Sequence, residues 1–314
     1  MQCLEEETVL ALLQGDLAGG DLRAVEEHID ACAHCRRLVS SLAEDATPSE
    51  GAGDVPLPPG TTVVGGRFEL LGLAGSGGMG HIYRARDRET GKTVAVKRVD
   101  VDEARFAREA RVLSELAHPA IVRYVADGRS DDGARYLAME WLEGEDLAER
   151  LARGPLSVEE TLRLGIRVAD ALGTAHARGV VHRDVKPSNL FLEGGDAGRV
   201  KVVDFGVARA NVAGATRTRT GALLGTPGYM APEQAKGEGE IGPRADVFAL
   251  GCVLYECLTG ARAFRGANVI AVLANLFTTK VPRPRALAPH VPRALDAYVA
   301  RMLSRVPSRR PENG

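Results

Sequence analysis

The chain carries almost no net charge: 40 lysines and arginines stand against 42 aspartates and glutamates, a formal −2 over 314 residues. That balance gives no global pull toward nucleic acid or an anionic membrane, so a nucleic-acid binder is not expected. Long apolar runs are also missing. The longest candidate, Val247 to Leu258, carries Glu256 and suits a buried helix better than a membrane span. The start, Met1-Gln2-Cys3-Leu4-Glu5-Glu6-Glu7, lacks the positive region and apolar core of a secretory signal, and a cytoplasmic location is expected. Only five cysteines occur, which in a reducing compartment read as thiols or metal ligands rather than disulfides.

What is present is a chain of ordinary globular composition, 45% hydrophobic and 26% charged, long enough for a two-lobed domain and one small extra module. Its most informative stretch is Val181-His182-Arg183-Asp184-Val185-Lys186-Pro187-Ser188-Asn189-Leu190, followed by Val203-Asp204-Phe205-Gly206. Phosphoryl transfer needs a group to take or orient the nucleophile's proton, a cation near the transferred phosphoryl, and hard oxygen ligands for magnesium. Asp184, Lys186, and Asn189 with Asp204 supply these in order. The two strings resemble the catalytic loop and the Asp-Phe-Gly signature of protein kinases, and Asp-x-Lys resembles the serine/threonine branch.

Upstream, Phe68 to Leu73 reads as a strand leading into Gly75-Ser76-Gly77-Gly78-Met79-Gly80-His81-Ile82-Tyr83, where glycines let the backbone approach phosphates. Thr93-Val94-Ala95-Val96-Lys97 then resembles the kinase strand that carries the phosphate-binding lysine. The resemblance implies that Glu109 pairs with Lys97, with Glu103 and Glu115 as alternatives, and that Ile82, Ala95 and Phe191 line the adenine site. It further implies Met139 as gatekeeper, backbone bonds from Glu140 and Leu142 to adenine, and Asp146 at the ribose. His118 to Val122 should begin another strand. Leu162, Ile166, Ala169 and Leu172 recur at helical spacing and are expected to form the buried stripe of a helix before the catalytic loop.

Within the resemblance, His182 packs with Phe205 in a hydrophobic spine rather than acting as a base. Thr218 and Thr220 are the expected phosphorylation sites of the activation segment, ahead of Thr216, with Arg183 as the cation that would order the loop. Thr226 would bond Asp184 and Lys186 at the acceptor site. The helix starting at Asp246 would anchor the catalytic loop, and Cys252 and Cys257 on it read as small core residues. Arg310 would pair with Glu233, and the helix that normally follows this arginine is expected to be missing, a truncated large lobe.

The first 43 residues have a separate pattern. Leu10, Leu13, Leu17, Val25, Ile29 and Leu38 recur at helical spacing around a break at Gly19-Gly20. His28-x-x-x-Cys32-x-x-Cys35 places an imidazole and two thiols on one helix face, donors suited to tetrahedral Zn²⁺, with Cys3 as the natural fourth ligand and His34 as a competitor. This element resembles the zinc-binding anti-sigma-factor fold. Two buried thiols beside a surface histidine are the alternative. Between this module and the rest, residues 44 to 62 hold Pro48, Pro56, Pro58 and Pro59 with Gly51, Gly53 and Gly60, and read as a linker.

The expected fold class is therefore α+β: a small α-helical zinc-binding domain over 1–43, the linker over 44–62, and a two-lobed kinase fold over 63–314. Its β-rich small lobe should cover about 63–142 and its helical large lobe about 143–314. The expected function is that of a non-specific serine/threonine protein kinase of bacterial signalling, using ATP and Mg²⁺ on protein substrates and autophosphorylating through a homodimer, with structural Zn²⁺ and a regulatory protein bound by the finger. The competing class is a pseudokinase that senses nucleotide and binds proteins; loss of a key residue would favour it, and none is missing.

Overall fold

The computed structural model describes residues 63–77, 80–99, 106, 110–111, 113–205, 226–237, 241–266 and 268–313, together with Val25, His28 and Cys32. Two sheets and a helical body make up the described part. The first sheet has six strands: β1 (Val63–Val64), β2 (Phe68–Gly77), β3 (Gly80–Asp87), β4 (Thr93–Val99), β5 (Tyr124–Arg129) and β6 (Arg135–Glu140), in the order β1-β2-β3-β4-β6-β5 with antiparallel neighbours. Alternation explains it locally. Along β3, Tyr83, Ala85 and Asp87 turn inward while Arg84 and Arg86 between them face water.

The core of this lobe joins Val64, Phe68, Leu70, Val94 and Val96 to the Tyr136 ring, which meets Phe68 edge-on at 5.7 Å between centroids. Gly128 leaves room for that ring, because a Cβ there would lie 2.7 Å from the Tyr136 hydroxyl. The β3–β4 turn is organised by Asp87. Its carboxylate accepts Arg67 Nε and Nη2 at 2.8 and 2.7 Å, Thr90 Oγ1 at 2.8 Å and the Glu89 N–H at 3.0 Å. The Arg67 guanidinium holds this carboxyl well below the usual carboxylate range.

After β6 the chain enters the helical lobe through a three-stranded sheet, β7 (Gly144–Asp146), β8 (Leu190–Glu193) and β9 (Val200–Val202), ordered β7-β8-β9. The helices are α1 (Leu147–Ala152), α2 (Val158–His176), α3 (Pro232–Lys236), α4 (Pro243–Thr259), α5 (Val269–Thr278), α6 (Pro284–Leu287) and α7 (Arg293–Met302). A reciprocal Ser157–Glu160 capping box starts α2. Helix α4 is buried on nearly every face, with α2 and α7 packed against it. Gly251 permits the close approach of α7, since a Cβ there would fall 2.8 Å from Met302 Cβ.

Two expectations need correction. The buried face of α2 is Leu164, Val168, Ala171, Leu172 and Ala175, whereas Leu162 and Ile166 are 41% and 69% exposed and Ala169 is half-buried. Of the expected stripe Leu172 is buried in the core and Ala169 packs half-buried against it, because α2 turns its Gly165 side toward Leu254 of α4. The segment 118–122 is not a strand of the sheet. Ile121 forms an isolated bridge with Val202, and β5 begins at Tyr124.

Of the first 62 residues, the helical Val25 is buried, and the Cys32 N–H donates to the His28 carbonyl at 2.7 Å. Cys3, His34 and Cys35 lie outside the described residues, as does the linker. Among the described residues no group of three or more His, Cys, Asp or Glu side chains could hold a metal. Nor, among them, is any helix long and apolar enough to cross a membrane.

Candidate active site

The loop from His182 to Asn189 hangs from α4. Asp246, fully buried in the first turn of that helix, accepts the N–H of His182 at 2.8 Å and that of Arg183 at 2.7 Å, and lies 2.8 Å from His176 Nε2 on α2. From the other side Gln234 Nε2 donates to the Arg183 carbonyl at 3.0 Å. These bonds restrain a residue in an unfavourable conformation: Arg183 has φ 64°, and Asp204 has φ 54°, the two non-glycine residues at positive φ among those described.

His182 joins the two motifs. Its Nδ1 accepts the Asp184 N–H at 3.2 Å, which leaves Nε2 as the donor to the Val203 carbonyl at 3.1 Å. The ring is thereby set as the neutral Nε2–H tautomer, 4.7 Å from the Phe205 ring between centroids, with both nitrogens engaged. Val203 N–H in turn donates to the Asn189 carbonyl at 3.0 Å, so backbone bonds hold Asp204 beside the catalytic loop.

At the centre, Asn189 Nδ2 donates to the Asp184 carbonyl at 2.8 Å and to its carboxylate Oδ2 at 3.1 Å. Lys186 Nζ lies 3.5 Å from the same Oδ2 and donates to Thr226 Oγ1 at 3.1 Å. Across the cleft Lys97 Nζ, on β4 and almost wholly buried, donates to Asp204 Oδ1 at 2.7 Å. Six side chains are thus drawn into two groups, Asp184, Lys186, Asn189 and Thr226 in one and Lys97 with Asp204 in the other. Glu109, the expected partner of Lys97, lies outside the described residues, as do Gly78, Met79 and residues 206–225 with Thr216, Thr218 and Thr220.

The edge between the sheets is shaped by register. Ile82 stands opposite Lys97, and Ala95 opposite Met139, whose side chain is buried. Gly75, Ser76 and Gly77 run into the tip of the β2–β3 hairpin, where Gly77 pairs with Gly80. Glu140 turns its carboxylate toward Lys201 of β9 and accepts the Arg123 N–H at 2.9 Å. Leu142 packs on the large core, and Arg84 lies 5.3 Å over Trp141. Asp146 serves as N-cap of α1, accepting Glu149 N–H at 2.9 Å, and burial raises its carboxyl above the usual range. Phe191 stands opposite Asp146 on one side and Lys201 on the other.

A match to the protein kinase domain family spans residues 68–313. The chain belongs to the protein kinase family. Among curated relatives, this kinase chain is 39% identical over 259 residues to a probable serine/threonine-protein kinase of Streptomyces coelicolor, covering 79% of this chain and 38% of that protein. It is 39% identical over 271 residues to the DNA damage-responsive serine/threonine-protein kinase RqkA of Deinococcus radiodurans, covering 83% and 40%. To the serine/threonine-protein kinase pkn3 of Myxococcus xanthus it is 36% identical over 260 residues, covering 78% and 47%. The chain therefore spans less than half the length of these relatives.

The kinase site includes residues that sequence reading did not single out. His176 and Gln234 support the catalytic loop from 70 and 51 residues away from their partners, and Lys201 meets Glu140 across 61. Beside Thr226, the Tyr229 hydroxyl donates to Glu256 Oε2 at 2.5 Å, with Arg262 over the Tyr229 ring at 5.8 Å. No local pattern announces such partners. The expected pairing of Arg310 with Glu233 is present as a fork at 2.6 and 2.8 Å.

Proposed function

We propose that this chain is a serine/threonine protein kinase that transfers the γ-phosphoryl group of ATP to protein hydroxyls. The observation that carries the reading is the convergence of Asp184, Lys186, Asn189 and Thr226 in one hydrogen-bonded group facing the Lys97–Asp204 pair. In the reaction the acceptor oxygen bonds to the γ-phosphorus, the bond to the β–γ bridging oxygen breaks, and ADP leaves. Asp184 orients the acceptor hydroxyl and takes its proton. Lys186 offsets charge on the transferred group, and Thr226 holds Lys186 in reach while favouring a small aliphatic hydroxyl as acceptor.

Asn189 spends its amide nitrogen on Asp184, which turns its Oδ1 the opposite way, and Asp204 brings a carboxylate. Those are hard oxygen donors of the kind Mg²⁺ takes. When bound, the ion neutralises phosphate charge and fixes the γ-phosphate for in-line attack. The glycine-rich hairpin, Ile82, Ala95, Met139, Glu140, Leu142, Asp146 and Phe191 form the nucleotide site in this reading, with Lys97 on the phosphates and Glu109 as its partner.

The same reading extends to regulation. Thr218 and Thr220 are the sites of autophosphorylation, in trans within a homodimer, with Arg183 drawing the phosphorylated loop into order. Zn²⁺ is held by Cys3, His28, Cys32 and Cys35, a regulatory protein binds that module, and the protein works in the cytoplasm. The supporting observation for zinc is that His28 and Cys32 stand one helical turn apart, and His28 Nε2 is a buried nitrogen without a hydrogen-bond partner.

Incubation with [γ-³²P]ATP, Mg²⁺ and a protein acceptor, followed by phosphosite mapping, tests the activity. Label is expected on serine and threonine, including Thr218 or Thr220, and should fall about 10²- to 10⁴-fold in Asp184→Asn. Wild-type turnover in that variant would overturn the assignment. About one zinc per chain by elemental analysis, lost in Cys32→Ser, is the outcome expected of the metal site.

A further inference from the structure

Charge is spread unevenly along this chain. Residues 261–314 hold ten lysines and arginines against two carboxylates, a formal +8, while residues 1–62 hold three against twelve, a formal −9. The 198 residues between them come to −1. The near-neutral total therefore conceals two strongly opposed ends.

In the fold, the basic stretch builds α5, α6, α7 and the turn that follows. Both of its carboxylates are already engaged: Asp296 is buried, accepts the Arg285 N–H at 3.0 Å and lies 3.4 Å from Arg283, and Glu312 pairs with Arg244 at 3.3 Å. Some cations are also used inward, Arg310 on Glu233 and Arg305 Nε on the Leu276 carbonyl at 2.7 Å. Others are not. Helix α7 sends Val299 and Met302 into the core and shows Arg293, Ala294, Ala297, Tyr298 and Arg301 to solvent, with Arg301 5.2 Å over the 46% exposed Tyr298 ring. Lys280, at the end of α5, is exposed as well.

We propose that this basic face of α7 is the docking surface for the chain's own acidic residues 1–62. Residues 1–62 carry a formal −9 against +8 over residues 261–314, of which the exposed face of α7 presents Arg293 and Arg301. Exposed ion pairs are individually weak and screened by salt, but tethering makes the encounter intramolecular, so several weak pairs suffice where a free partner would need more. Reach imposes no obstacle, because 62 residues span up to about 200 Å when extended. Ala294 and Ala297 keep the surface between the arginines low, and the Tyr298 ring offers apolar area to the leucines and valines of the segment. The face lies on the side of α7 away from α4.

The test uses the full chain. Zero-length carbodiimide cross-linking joins carboxylates to lysine amines, and Lys280 is the one lysine of residues 261–314. At 0.05 M NaCl, links between Lys280 of the basic stretch and carboxylates of residues 1–62 are expected by mass spectrometry, falling at least fivefold at 0.5 M NaCl and in Arg293→Glu/Arg301→Glu. Mixing isotopically labelled with unlabelled chain should yield links within one copy. Absence of those links at low salt, links indifferent to salt, or links chiefly between copies would overturn the proposal. So would loss of the links when vesicles of phosphatidylserine and phosphatidylcholine bind the wild type at sub-stoichiometric lipid, which would assign the face to a lipid surface. Should the double variant fail to fold, the salt series on the wild type still decides.

Discussion

Asp246 shows how much one buried carboxylate determines at this site. Arg183 sits at φ 64°, a conformation that costs a non-glycine residue on the order of 1–3 kcal/mol, and the paired N–H donors of His182 and Arg183 hold it there by bonding Asp246. Asp246→Asn leaves one acceptor oxygen and sets an NH₂ against a remaining donor. Turnover is expected to fall about 10²-fold through misplacement of Asp184, with little change in the KM for ATP. Steady-state kinetics separate the two, and a loss confined to KM would contradict the positioning role. The same network explains why His182 is unsuited to general-base work: the Asp184 N–H and the Val203 carbonyl engage both ring nitrogens. Sequence placed His182 in the motif correctly, but its tautomer is decided by a carbonyl 21 residues away.

Helix α2 illustrates what periodicity leaves open. Leu162 and Ile166 repeat at helical spacing, and so do Leu164, Val168, Ala171 and Ala175; both faces are apolar enough to be read as the core stripe. Only the presence of α4 against the second face settles the choice. Leu164→Ala should therefore cost about 2–5 kcal/mol in denaturant unfolding, whereas Ile166→Glu should stay within about 0.5 kcal/mol. Equal costs at the two positions would refute this packing. The turn after β3 carries a pH dependence. Asp87 is held below its unfolded value by Arg67, so its contribution to stability is present above pH about 4 and is lost as the pH falls further. Asp87→Asn should remove that part of the acid slope, which unfolding midpoints measured between neutral pH and pH 3 would show.

Across the whole molecule, Arg310 closes the helical lobe. Its guanidinium is fully buried, forks onto Glu233, donates to the carbonyls of Ser304 and Arg244, and lies 4.8 Å over Phe248. Residues 77 apart in sequence are thereby tied to α4 from both sides. Arg310→Ala strands the Glu233 charge and vacates the space over Phe248, a loss expected to approach about 3 kcal/mol. Thermal unfolding of the variant against wild type measures it. A change smaller than that of a surface arginine such as Arg293→Ala would show that the fork does not brace the lobe.

Membership of the kinase family was legible in short strings, because the phosphoryl transfer proposed here needs particular groups within a few residues of one another and the loop 182–189 carries Asp184, Lys186 and Asn189. Tertiary structure alone decided partners that meet across tens of residues, among them His176 with Asp246, Lys97 with Asp204 and Lys201 with Glu140, and the face that α2 buries. Those outcomes depend on which surfaces pack together, and a hydrogen bond or a buried face exists only once its second partner has been brought alongside by the rest of the chain.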